Sequence, residues 1–173
     1  MTNPKSNSLL LTVQAALFAA FAVVFTLLVR IPIGLNGGYV HIGDAVIYLA
    51  AATLPLPYAM AAGALAGGLS DVLAGVPMWA LASVPIKAML CLCFSSRAPK
   101  LLTLRNGLAT AGAAVITCGG YYVAEWLIFG TGWAPLISVL ENAGQALASA
   151  ILFLIVAPVL DRLKWKERLK GLS

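Results

Sequence analysis

Charged side chains are scarce in this chain of 173 residues, because Asp, Glu, Lys and Arg together make up only 10% of it, against about 25% in soluble domains. Hydrophobic residues make up 61%, so too few polar side chains remain to cover a folded surface in water. This shortage excludes a soluble globular enzyme, and the high apolar content excludes a disordered chain. The composition therefore predicts an integral membrane protein of the all-α class.

Patterns typical of catalytic and metal sites are also missing. The three cysteines, Cys91, Cys93 and Cys118, lie in apolar stretches without the spacing of metal ligands. A Ser–His protease is not favoured, because the single histidine, His41, lies in a loop and no G-x-S-x-G occurs. No G-x-x-x-x-G-K-[ST] occurs either, so energy from ATP has to come from a partner. We expect no catalytic residue, no metal and no cofactor.

Six apolar segments predict six transmembrane helices, over residues 9–29, 44–54, 58–74, 78–95, 107–129 and 135–159. The second segment is cut short by Pro55 and Pro57, so it crosses the membrane only if it starts near Tyr39. The first is followed by Arg30 and Pro32 without an A-x-A cleavage site, which predicts a retained helix instead of a signal peptide. The chain is thus predicted to be one membrane domain, with a six-helix bundle over 9–160 between flanks at 1–8 and 161–173.

The basic residues gather on one side of this arrangement. That side receives Lys5, Arg97, Lys100, Arg105, Arg162, Lys164, Lys166, Arg168 and Lys170. The other side receives only Arg30, while Lys87 lies within a helix. By the positive-inside rule both termini are cytoplasmic in the cell membrane, and the tail lies on the inner membrane surface beside lipid head groups. Because the net charge of +5 follows this topology, we expect no nucleic-acid partner.

Five ionisable side chains fall within the predicted helices: Asp44, Asp71, Lys87, Glu125 and Glu141. Each costs about 2.5–3.5 kcal/mol at membrane depth, so each needs a reason to be there. One interpretation is that they pair with one another and join helices, and Asp71 with Lys87 suits it best. No membrane cation remains for Glu125 and Glu141, which favours a ligand-lined cavity over a dry polar seam.

The last two helices carry the polar faces from which a ligand site is predicted. On the sixth, one stripe with helical spacing contains Ser138, Glu141, Asn142, Gln145 and Ser149; on the fifth, one face contains Tyr122, Glu125, Trp126 and Phe129. Carboxylates, amides and aromatic rings suit a flat heterocycle with amine or ring N–H donors. An aminomethyl-pyrimidine, a pyridoxine-like vitamin or a deazapurine precursor is therefore favoured over an anion such as pantothenate.

Small and turn-forming residues mark three further features. The glycine-rich segment 31–43 predicts a mobile loop, in which His41 is either a satisfied surface histidine or a ligand contact. Tyr39 beside it is either a membrane-interface anchor or part of the same contact. Gly63 and Gly67 predict close packing inside the bundle, and two small-xxx-small pairs on the first helix allow another helix to approach: Ala15 with Ala19 and Ala16 with Ala20.

Several stretches, in this order along the chain, resemble the substrate-binding S components of energy-coupling factor (ECF) vitamin transporters, in particular the riboflavin-type branch. They are the alanines at 15–20, Tyr39-Val-His-Ile-Gly-Asp44-Ala, Leu69-Ser-Asp71-Val-Leu-Ala-Gly75, Ile86-Lys87-Ala-Met, Gly120-Tyr-Tyr-Val-Ala-Glu125 and Asn142-Ala-Gly-Gln145. The stretch Ala80-Leu-Ala-Ser-Val-Pro85 departs from the branch pattern, which leaves the substrate open.

The resemblance implies a six-helix protein that captures a vitamin outside the cell and passes it to a transmembrane coupling subunit with two cytoplasmic ATPases. The coupling subunit would contact Ala15, Ala16, Ala19 and Ala20, and the loop 36–43 would gate the pocket. The resemblance and the polar pattern together give the candidate ligand residues Tyr39, His41, Lys87, Tyr122, Glu125, Trp126, Glu141, Asn142 and Gln145. The alternative is an autonomous proton-coupled carrier in which Glu125 or Glu141 titrates.

Overall fold

The computed structural model describes residues 4–32, 39–130 and 134–170, nearly all of them in helices. The helices are α1 (Pro4–Leu28), α2 (Asp44–Thr53), α3 (Leu56–Leu73), α4 (Ala80–Leu90), α5 (Leu104–Phe129), α6 (Ala134–Arg162) and α7 (Trp165–Lys170). Two short strands, β1 (Ile31–Pro32) and β2 (Tyr39–Val40), pair antiparallel between α1 and α2. We call the end of the bundle with this hairpin the hairpin end, and the end with α7 the tail end.

All six predicted segments are helical. Four helices are long and apolar enough to cross a membrane, within Asn7–Leu28, Leu56–Leu73, Leu104–Ile128 and Ser138–Arg162; two apolar helices, Asp44–Thr53 and Pro77–Cys93, are shorter. The chain is thus a helical multi-pass membrane protein. The count of six crossings and the cytoplasmic placement of both termini stay predictions.

The fourth segment differs from the single helix predicted over 78–95. It begins with a 3-10 turn at Pro77–Trp79, continues as α4 and ends with a second 3-10 turn at Cys91–Cys93. Tight i→i+3 turns of this kind satisfy backbone groups that a helix end leaves without partners. Pro85 inside α4 removes one further helical N–H.

The short helix α2 lies at the centre of the bundle, where it contacts α1, α3, α4 and α6. Eight of its residues are buried, as expected for a helix that is apolar on nearly every side. The ring of Tyr48 stacks on Phe94 with the centroids 4.9 Å apart, and Phe153 meets it edge-on at 6.2 Å. Because other helices surround α2, its apolar residues are buried by protein, and α2 does not have to span the membrane by itself.

Helices α3 and α4 pack closely because α3 presents glycine where α4 crosses it. A Cβ at Gly67 would lie 2.8 Å from Lys87 Cγ and 2.9 Å from the Ser83 carbonyl oxygen. A Cβ at Gly63 would meet the Lys87 backbone carbonyl. The packing predicted from Gly63 and Gly67 is therefore confirmed as a contact within the bundle.

At the tail end, polar side chains hold the connection between α4 and α5. The carboxylate of Asp161 accepts hydrogen bonds from the N–H groups of Leu101 (2.6 Å) and Leu102 (3.0 Å). The Asn106 amide both accepts from the Ser95 N–H at 2.8 Å and donates to the Ser95 carbonyl at 2.9 Å. Side chains of α5 and α6 thus bind the backbone of the connection between α4 and α5 and hold it in place.

Lys166, in the tail predicted to lie on the inner membrane surface, packs against the helices. Its side chain is buried, and Nζ donates to the backbone carbonyls of Ala52 (3.0 Å), Ser96 (2.7 Å) and Ala98 (2.6 Å). The end of α2 and the α4–α5 connection provide these oxygens, so α7 is docked on the bundle.

Candidate functional site

A buried group of charged and polar side chains lies at the start of α2. Lys87 Nζ on α4 is 2.8 Å from Asp44 Oδ2, and Gln145 Nε2 on α6 donates to the same oxygen at 3.0 Å. The two charged side chains are only 3% and 0% exposed. We call Asp44, Lys87 and Gln145 the polar core; it joins α2, α4 and α6.

The predicted pairing of Lys87 with Asp71 is wrong, because the ammonium binds Asp44. The Lys87 side chain passes over Gly67 towards the start of α2, where Asp44 faces it. Asp71 instead accepts a hydrogen bond at 2.6 Å from the hydroxyl of Tyr39 in the hairpin. Each carboxylate thus has its own partner.

The hairpin is fastened to the end of α3 by two contacts. The first is the bond from Tyr39 to Asp71, and the second is a 3.0 Å bond from the Arg30 guanidinium to the Ala74 carbonyl. The same guanidinium lies 5.4 Å from the centroid of the Tyr39 ring, in cation–π range. We call Arg30, Tyr39 and Asp71 the hairpin latch. Of the predicted gating loop 36–43, residues 36–38 lie outside the described residues.

His41 is buried next to the polar core. Its Nδ1 accepts a hydrogen bond from the Gly43 N–H at 3.1 Å and lies 3.3 Å from Thr26 Oγ1. The neutral tautomer therefore carries its proton on Nε2. Burial is the main cause that lowers the pKa of His41 to about 4; the Asp44 charge opposes this shift and the Lys87 charge adds to it. Near neutral pH the imidazole is uncharged.

Tyr121 and Ser83 extend this cluster and were not predicted from the sequence. Their hydroxyls are 2.7 Å apart, and the Lys87 ammonium lies 5.2 Å from the centroid of the Tyr121 ring. Tyr121 precedes Glu125 by four residues and therefore shares its helix face. That spacing was the available signal, whereas the predicted site contained the neighbouring Tyr122.

The cluster encloses a cavity of about 10 Å³, which is room for about one water molecule. Its walls include Tyr39, His41, Asp44, Lys87 and Tyr121. Ligand pockets usually measure about 300–1,000 Å³, so this cavity is far smaller than an ordinary ligand pocket. Within the described ranges, no group of three or more His, Cys, Asp or Glu side chains is placed to hold a metal ion.

The remaining predicted ligand residues lie on α5 and α6 and differ in burial. Glu125 is buried, and Glu141 and Asn142 are partly buried, with the Asn142 amide donating to the Ser138 carbonyl of its own helix at 2.8 Å. Trp126 and Tyr122 are 57% and 36% exposed. The structure therefore brings Tyr39, His41, Lys87 and Gln145 together, but not the rings of Tyr122 and Trp126.

The four alanines predicted to bind a partner divide between two faces of α1. Ala15 and Ala19 are buried within the bundle, whereas Ala16 and Ala20 are exposed. Large apolar side chains flank the exposed pair; they include Val13, Leu17, Phe21 and Val24. Of these four alanines, Ala16 and Ala20 are therefore the pair that a second helix could contact.

Comparison with known proteins gives two findings. The family model described as "ECF-type riboflavin transporter, S component" matches residues 6–162, most of the chain. An uncharacterized protein of Pyrococcus woesei is 32% identical over 114 residues, which cover 64% of this chain and 75% of that protein. The family match confirms the resemblance identified from the sequence motifs.

Proposed function

The chain belongs to the family of ECF-type riboflavin transporter S components, and we propose that it captures a neutral, flat heterocyclic vitamin at the hairpin end for ATP-driven import. The family is one of substrate-binding subunits of membrane vitamin transporters and not of enzymes. The observation that carries the proposal is the polar core: a buried ion pair and an amide next to the hairpin that precedes α2.

The charges in the site favour a neutral ligand. The Lys87 ammonium is already neutralised by Asp44 at 2.8 Å, so it has no charge to offer the carboxylate of an anionic vitamin. The amide of Gln145 and the hydroxyls of Ser83 and Tyr121 provide neutral donors and acceptors. Riboflavin, after which the family is named, is such a ligand. A heterocycle with an amine would in addition suit the carboxylate of Glu125.

Ligand entry requires the hairpin to move. The cavity beside Asp44 and Lys87 has room for about one water molecule, whereas a vitamin occupies far more. The hairpin latch is the simplest barrier to release, because it consists of two hydrogen bonds and one cation–π contact at the end of α3. In this proposal, breaking the Tyr39–Asp71 bond exposes His41 and the polar core.

Energy for import comes from partner subunits. The exposed face of α1 around Ala16 and Ala20 lets a helix pack closely, and we assign it to the transmembrane coupling subunit, which joins the chain to two cytoplasmic ATPases. The other two alanines, Ala15 and Ala19, are buried on the face of α1 that packs inside the bundle.

The alternative is an autonomous proton-coupled carrier. The observation that favours it is the buried carboxylate of Glu125.

The first test is to identify what the purified protein retains. The protein is extracted in detergent and denatured, and the released small molecules are identified by mass spectrometry. Binding of riboflavin, pyridoxine, an aminomethyl-pyrimidine and pantothenate is then measured by calorimetry. We expect a neutral heterocycle to bind and pantothenate to fail. Tight binding of pantothenate, unaffected by Glu125→Gln, would contradict the assignment of ligand class.

The second test separates the two transport mechanisms. The chain is reconstituted in liposomes with and without the coupling subunit and ATPases, and uptake of the retained ligand is measured. We expect uptake only with the complete module and ATP. Uptake by the chain alone, driven by a proton gradient and lost in Glu125→Gln, would support the autonomous carrier. The exposed Glu167→Gln variant is the matched control.

A further inference from the structure

A second cavity lies at the tail end, away from the polar core. Its volume is about 270 Å³, and it is lined by the first turns of α1, the end of α2 and α7. The lining includes Asn7, Leu10, Leu11, Gln14, Lys166 and Leu169. We call it the tail cavity. Its volume is close to the lower limit of ordinary ligand pockets, about 300 Å³.

An amide on α1 points to an occupant. Asn7 Oδ1 lines the tail cavity and is buried without a hydrogen-bond partner among the described residues. Gln14, on the same wall, is 8% exposed and brings a second amide to the cavity. Buried amides without partners are costly. A ligand with hydrogen-bonding groups would satisfy Asn7 and could also bond to the Gln14 amide beside it.

The charge of the walls selects a ligand that is anionic or rich in acceptors. Three backbone carbonyls hold the Lys166 ammonium at the wall, which fixes one positive charge there. Among the described residues that line the tail cavity, none is acidic. Further along the same end, Arg97, Lys100 and Arg168 are exposed and raise the local positive potential.

The other walls are apolar. Leu10, Leu11 and Leu169 line the tail cavity, and Leu9 beside them is 67% exposed on the outside of α1. An occupant that satisfies the amides must therefore also place apolar groups against leucine. A phospholipid has this combination, with an anionic phosphodiester and ester carbonyls next to acyl chains. We propose that the tail cavity binds the head group and ester region of one anionic phospholipid.

Native mass spectrometry of the full chain tests this proposal. The protein is equilibrated with phosphatidylglycerol and phosphatidylcholine of identical acyl chains, and retained lipids are counted. We expect one phosphatidylglycerol to be retained in preference to phosphatidylcholine. Gln14→Leu removes the amide and Leu10→Trp fills the space, and each should lower retention about tenfold. The two variants act differently, so one remains informative if the other fails to fold.

Controls separate this site from a general attraction to the basic surface. Replacing both Arg97 and Lys100 by Gln removes exposed charge but leaves the tail cavity intact, so retention should fall less than in Gln14→Leu. Retention that depends on these two residues and not on Gln14 would overturn the proposal. Equal retention of the two lipids would also overturn it.

Two further outcomes would assign the tail cavity to something else. Binding of soluble glycerol phosphate as tightly as the lipid would indicate a small-anion site. A Leu10→Cys thiol shielded from a water-soluble maleimide by the coupling subunit, but not by phosphatidylglycerol, would indicate a protein contact. Shielding by the lipid alone would support the proposal.

Discussion

Lys87 and Asp44 lie 43 residues apart in the sequence, and their side chains meet at 2.8 Å in the centre of the bundle. The pair ties the first residue of the shortest buried helix to α4. Gln145 adds a bond from α6 to the same carboxylate oxygen. In the proposed function a ligand at the polar core would contact groups that also hold three helices together, so its binding would stabilise their packing.

Removing one partner of this pair should destabilise the protein strongly. Lys87→Met leaves the Asp44 carboxylate buried without its cation, which costs about 3–5 kcal/mol. Asp44→Asn combined with Lys87→Met removes both charges and should recover most of that loss. Unfolding in detergent is the measurement. Lys164→Met is the control, because its pair with Glu167 is exposed; it should change stability by less than about 1 kcal/mol.

The hairpin latch should control the rate of ligand exchange. Tyr39→Phe removes the hydroxyl that donates to Asp71 at 2.6 Å and keeps the ring over which Arg30 lies. We expect the ligand to dissociate about tenfold faster, by loss of a hydrogen bond to a charged group. Stopped-flow fluorescence measures this rate. Tyr58→Phe is the control, because its hydroxyl contacts Ser8 outside the site; equal acceleration in both would contradict a latch.

Stability should fall with mild acid because of His41. Its pKa is about 4 in the folded protein and about 6.5 in the unfolded chain, so the unfolded state binds a proton that the folded state does not. The loss begins near pH 6.5 and reaches about 2 kcal/mol by about pH 5. Asp44 and Lys87, the charges that face His41, keep their pairing in this range. In His41→Gln the dependence should disappear between these pH values.

A buried hydroxyl one turn from the cluster should be dispensable. Thr117 on α5 is fully buried, and its Oγ1 has no hydrogen-bond partner among the described residues. Thr117→Val keeps the shape and removes the uncompensated hydroxyl, so stability should rise by about 1 kcal/mol. Thr110→Val is the control on the same helix, because that hydroxyl donates to the Gly107 carbonyl at 2.7 Å; its loss should not be stabilising. Thermal unfolding distinguishes the two.

The contact between α3 and α4 should not tolerate a methyl group. Gly67→Ala places a Cβ against Lys87 Cγ and the Ser83 backbone, so the helices must separate at a cost of about 1–3 kcal/mol. Gly144→Ala is the control on α6, where no atom lies within 4 Å of a new Cβ. The control should gain up to about 1 kcal/mol from helix propensity. Similar melting temperatures for both variants would contradict the close approach.

The helices could be predicted because each is an apolar segment ended by proline, glycine or charge. The partner of Lys87 could not be predicted, since Asp44 and Asp71 both lay within plausible reach. The choice between them depends on α2 occupying the centre, a tertiary feature that no local pattern contains.

The same limit applies to the aromatic face of α5. Tyr122, Glu125 and Trp126 span a wide arc of one helix, and which part of that arc is buried depends on where α4 and α6 pack. The structure buries Glu125 and leaves the Trp126 ring largely exposed. Periodicity thus identified a polar face but not its orientation.

Lys166 has a consequence for the order in which the protein assembles. It follows α1 to α6 in the chain, yet it holds the carbonyls of Ala52 and Ser96, which are synthesised much earlier. Until this lysine has left the ribosome, the end of α2 and the α4–α5 connection lack the group that joins them. The contact that joins these two segments therefore forms only after α7 has been synthesised.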